Sequence, residues 1–112
     1  MEKVKKYEQI ILQFLEEQES YWNGGNTPIE YQVIADTQRK RYQLISIGWK
    51  DKSYFHGCLY HLDIINDKVW IQNNNTDMLI AKELIELGVP KHDIVLGVIH
   101  PKRRKDTEYA VA

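Results

Sequence analysis

The chain has 112 residues, 15 Lys and Arg against 16 Asp and Glu, and a formal net charge of −1, which withholds the basic excess that dedicated nucleic-acid binders gather. Its size allows one domain, residues 1–112, burying roughly two-thirds of the surface of the unfolded chain, and 43% apolar with 28% charged residues is an ordinary globular balance. The single Cys58 leaves no internal disulfide, and with no secretory h-region and no apolar run near ~18 residues the expected location is the cytoplasm.

Val4, Tyr7, Ile11, Phe14 and Gln18 fall at helical spacing, widened by Ile10 and Leu15, which predicts an amphipathic helix over residues 2–19. Asn23-Gly24-Gly25-Asn26-Thr27-Pro28 then favours turns. From there the period becomes two. Strands are predicted at Glu30–Thr37, Arg41–Trp49, Ser53–Ile65 and Lys68–Gln72, and the short polar breaks between them imply an antiparallel meander. Thr76 is the expected N-cap of a second helix, Asp77–Leu87, with Gly88 at its end and Pro90 preventing continuation. Ile94–Ile99 reads as a short buried strand. The expected architecture is α+β, in the order α-β-β-β-β-α-β, with both helices on one face of a mainly antiparallel sheet. If the last strand lies beside the fourth, that pair should be parallel.

His56, Cys58, His61 and Asp63 crowd the third strand. Cys58 and His61 have half the spacing of a zinc site, but an offset of three puts them on opposite faces of an extended strand unless a bulge intervenes. No second Cys/His cluster completes four ligands, so neither metal nor cofactor is expected. A His61–Asp63 pair has the form of an oriented general base, yet no Gly-x-Ser-x-Gly elbow accompanies it, and Ser20, Ser46 and Ser53 lack a catalytic context. Gly24-Gly25 follows a helix and precedes no Lys-Ser or Lys-Thr, unlike a phosphate-binding loop. No Asp-x-Lys or Glu-x-Lys occurs, which disfavours metal-dependent DNA cleavage.

Lys102, Arg103, Arg104 and Lys105 form the densest positive run, a candidate contact for phosphates or a partner, with Lys91 nearby. Asp106 and Glu108 follow directly. Trp22, Trp49 and Trp70 suit cross-strand packing or an interface, and the apolar ending Tyr109-Ala110-Val111-Ala112 should dock on the domain or on a partner.

Several pieces follow one another in order along the chain: Asp36-Thr37, Arg39-Lys40-Arg41-Tyr42, Gly48-Trp49, Gly57-Cys58, His61-Leu62-Asp63-Ile64 and Lys68-Val69-Trp70-Ile71-Gln72. They continue through Ala81, Glu83-Leu84, Gly88-Val89-Pro90, Asp93-Ile94-Val95-Leu96-Gly97, Pro101, Arg104 and Thr107–Ala112. In this ordered combination the sequence resembles the XisI family, the fdxN element excision controlling factors of cyanobacteria. Asn66-Asp67 departs from a Gly-containing turn, although both residues tolerate positive φ; the Asn73-Asn74-Asn75 run is a second departure.

The resemblance implies a part in programmed excision of a DNA element (a DNA rearrangement) during heterocyst differentiation, beside a companion protein, XisH. Recombination itself belongs to a separate recombinase, and no catalytic residue carries over. The expected role is a non-catalytic accessory factor acting through an XisH-like companion, not an enzyme. A small DNA-binding module using residues 102–105 is the alternative. An edge strand and the surplus of aromatics also favour a homo-oligomer.

Overall fold

The computed structural model describes residues 2–112. Helix α1, Glu2–Asn23, buries Tyr7, Ile10, Ile11, Phe14, Leu15 and Gln18. It continues past the expected end at residue 19 because Trp22 still packs against the core, and Gly24 N–H closes the last turn onto the Ser20 and Tyr21 carbonyls. Gln18 is buried but satisfied. Its carbonyl oxygen accepts from the Tyr60 hydroxyl at 2.9 Å and from Trp22 Nε1 at 3.3 Å.

Strands β1 (Glu30–Asp36), β2 (Arg41–Lys50), β3 (Ser53–Ile65) and β4 (Lys68–Asn74) form the predicted antiparallel meander, and β5 (Ile94–Leu96) pairs parallel with β4. Asn66 and Asp67 hold φ of 52° and 61° in the β3–β4 turn, the double positive-φ arrangement of a tight hairpin. Tyr42, Leu44, Tyr60, Leu62, Val69, Ile71 and Ile94 line one sheet face and meet α1 and α2 there.

Helix α2, Ile80–Leu87, begins later than predicted. Asn74 explains the delay: its side chain accepts from Thr76 N–H and Oγ1 and donates to the Met78 carbonyl, while Thr76 Oγ1 accepts from Met78 N–H. These bonds spend Thr76 on a turn before the helix, so it caps nothing. Gly88, at φ 119°, ends α2 with its N–H on the Leu84 and Ile85 carbonyls, as expected.

β5 also stops short of the predicted Ile99: the Gly97 N–H on the Ile71 carbonyl completes the last ladder pair, Ile71 with Leu96, and Ile99 N–H then turns back onto the Leu96 carbonyl. The tail docks on the domain itself: Ala110 N–H donates to the Ile94 carbonyl at 2.8 Å, and Ala110 bridges Val95. Two 3₁₀ helices, Lys91–Asp93 and Pro101–Asp106, flank β5. No described helix is long and apolar enough to cross a membrane.

Candidate functional site

The predicted alternation along β3 fails at one residue. Leu44 pairs with Tyr60, but Ile45 pairs with Cys58, so Leu59 is an extra residue, a β-bulge. The bulge resets the phase. His56, Cys58, His61 and Asp63 sit opposite Ile47, Ile45, Gln43 and Arg41, and all of them face away from the helices. The expectation that Cys58 and His61 lie on opposite faces is therefore corrected.

Sharing a face has not made them one cluster. Among the described residues, no group of three His, Cys, Asp or Glu side chains is placed to share a metal ion. Cys58 Sγ instead donates to the Tyr60 carbonyl at 3.1 Å. Burial pushes its thiol above the ordinary value, against a smaller lowering from Asn73. The face is built around Asp63, which is only 6% exposed. Asp63 Oδ1 lies 2.9 Å from His61 Nε2 and 3.8 Å from Arg41 Nε, and Oδ2 accepts from Gln72 Nε2 at 3.3 Å. Gln43 Nε2 approaches His61 Nδ1 at 3.4 Å. A neutral ring protonated at Nε2 satisfies both contacts. Both ring nitrogens are thus engaged, which fixes the orientation of the imidazole.

The basic run lies on the second 3₁₀ helix, and it is split. Lys102, Arg103 and Lys105 are exposed, whereas Arg104 turns inward and is 9% exposed. Its guanidinium carbon lies 5.0 Å from the centre of the Trp70 ring. Its nitrogens donate to the carbonyls of Ile99, Gly97 and Val111 at 3.0, 3.4 and 3.5 Å. Arg104 therefore fastens the C-terminal segment across the helix-free face. No local signal in Lys102–Lys105 distinguishes this arginine from its neighbours. Lys91 is also occupied, by Glu108 at 3.0 Å.

Two features escaped sequence reasoning. A cleft of about 850 Å³ opens between the end of α1, β1 and the 75–78 turn, lined by Tyr21, Trp22, Tyr31, Leu59 and Met78 among others. Beyond it, the β2–β3 hairpin projects as an arm. β4 pairs with β3 only from Tyr60 onward, and β1 pairs with β2 only as far as Ile47. Trp49, Tyr54 and Phe55 on this arm are 62%, 53% and 45% exposed. Strand lengths alone hint at the overhang, since the third predicted strand is far longer than the fourth.

The XisI family model, described as "XisI protein", matches residues 1–111. The chain belongs to the XisI family. Among solved structures, this XisI-family chain is similar to a XisI-like protein from Anabaena variabilis ATCC 29413, at 38% identity and TM-score 0.90, over 97% of this chain and 99% of that one. It is also similar to the fdxN element excision controlling factor XisI from Anabaena variabilis ATCC 29413, at 31% identity and TM-score 0.84, over 98% of this chain and 99% of that one. No curated protein matches.

Proposed function

We propose that this XisI-family protein is an accessory factor in the control of DNA-element excision, a non-catalytic component that works in the cytoplasm by binding an XisH-like companion. The observation that carries the reading is the end-to-end similarity to the fdxN element excision controlling factor of Anabaena variabilis. The solvent-facing aromatics Trp49, Tyr54 and Phe55 and the cleft beside Trp22 support it, because exposed Trp and Tyr are the side chains that anchor protein interfaces. Co-expression with the companion, followed by affinity purification, tests it. The expected result is a complex of fixed stoichiometry; a folded chain that never retains the companion contradicts it.

One observation favours a second reading, direct contact with DNA. The 3₁₀ geometry sets Lys102 and Lys105 one turn apart, and Arg103 is exposed beside them. On this reading the chain binds DNA weakly, with affinity falling steeply as salt rises, and neutralising those three cations abolishes it. Absence of binding at low salt removes it.

A further inference from the structure

We propose that the β2–β3 arm pairs with the same arm of a second copy, edge to edge and antiparallel, about a twofold axis at Phe55.

The sheet's outer edges are guarded over part of their length, β1 at Tyr31 and Val33 and β5 at Ile94. Tyr31 N–H on β1 donates to Asn23 Oδ1 at 2.9 Å, Asn23 Nδ2 donates back to the Tyr31 carbonyl, and Val33 N–H donates to Glu19 Oε2 at 2.8 Å. On β5, Ala110 takes the Ile94 carbonyl. The stretch Ser53–Gly57 on the β4 side of β3 has no such cover: no strand pairs with it, and all five residues are exposed. A bare edge of this kind is a template for another strand.

The hydrogen-bond phase shows which strand fits. Lys50 and Ser53 close the two-residue turn, so Ser53, Phe55 and Gly57 direct their backbone groups toward β2. Tyr54, His56 and Cys58 therefore present theirs to the free edge. The Cys58 carbonyl confirms this phase, because it accepts from Asn73 Nδ2 at 3.4 Å and Asn75 Nδ2 at 2.9 Å. The residues with both groups open are Tyr54 and His56. Setting Tyr54 of one copy opposite His56 of the other satisfies all of these groups in both copies. A register centred on His56 would instead need the Cys58 carbonyl that the asparagines already hold.

The side chains agree with that register. Tyr54, its ring tilted against that of Trp49 at 5.2 Å between centres, gains a cross-strand neighbour in His56, and Phe55 meets Phe55 on the other face. Charge is complementary as well. Among the described residues, Lys50 and Lys52 at the arm's tip join no ion pair, and neither does Asp77. The register sets Lys52 of one copy abreast of Cys58 of the other, next to the Asn75–Asp77 turn, and twofold symmetry makes the contact twice.

Sedimentation equilibrium of the purified chain alone, over a concentration series, reads the outcome without the companion, so it stands or falls separately from the excision role. A dimer of twice 13.3 kDa is expected. His56→Pro removes an outward N–H from each copy and leaves the β2 ladder intact, a position where an edge strand tolerates proline. It should raise the dissociation constant about tenfold or more. Lys52→Glu and Asp77→Lys should each weaken pairing, and the two together should restore it, a reading independent of the proline. A monomer at every concentration overturns the proposal, as does a dimer indifferent to both the proline and the charge exchange.

Discussion

The hydroxyl of Tyr7 donates a hydrogen bond to Asp93 Oδ2, fastening the first helix to the segment just before the last strand. Both residues are 3% exposed, and Lys3 Nζ reaches the same carboxylate at 2.9 Å. Burial works to raise the Asp93 carboxyl, yet the Tyr7 hydroxyl, the Lys3 ammonium and His92 outweigh it and hold the group below the usual carboxylate range.

A depressed folded-state value makes this latch sensitive to acid. Its stabilisation is complete above the unfolded carboxyl's pKa, about 3.9, and is lost as pH falls through the lower folded value. Chemical denaturation across the acid range should show this contribution disappearing below about pH 4, and Asp93→Asn should flatten that part of the profile. Tyr7→Phe, which leaves the carboxylate without its donor, should cost about 1–3 kcal/mol at neutral pH.

Arg104 makes a second, independent prediction. Its guanidinium covers Trp70 and donates to three backbone carbonyls. Lysine keeps the charge but has neither the plane nor the fork. Arg104→Lys should therefore destabilise the fold by about 1–3 kcal/mol, with a change in tryptophan emission. Single substitutions at exposed Lys102 or Lys105 should stay within about 0.5 kcal/mol of the parent.

Cys58 should be a slow thiol. Its raised pKa leaves little thiolate at neutral pH, and the S–H is already committed to the Tyr60 carbonyl. Alkylation by iodoacetamide at pH 8 should lag behind that of free cysteine and catch up when urea unfolds the chain. Alkylation faster than free cysteine would mark it as activated.

The limits of β3 were legible because a long branched and aromatic run is bounded by Lys50–Lys52 and Asn66–Asp67, residues that turn readily. The bulge at Leu59 was not. Nothing local in Gly57-Cys58-Leu59-Tyr60 announces it, since it exists only in the register between β2 and β3, and that single residue carried Cys58 to the face of His61. The start of α2 was misplaced for a related reason: the side chain of Asn74, at the end of β4, captured Thr76 before it was able to cap. Charge alone also misled at Arg104, where an inward guanidinium looks the same in sequence as its exposed neighbours. The helix stripe of α1, by contrast, lies in local spacing, and every residue of that stripe is at least half-buried.

The proposed role rests on contact with another protein. Its most direct measurement is the mass of whatever co-purifies when a tagged form of this chain is expressed with the XisH-like companion. A single species whose mass is a whole-number combination of the two chains is predicted, and it should persist when Cys58→Ser or His61→Gln is introduced. Recovery of the tagged chain alone, with a cooperative melting transition showing that it is folded, would contradict it.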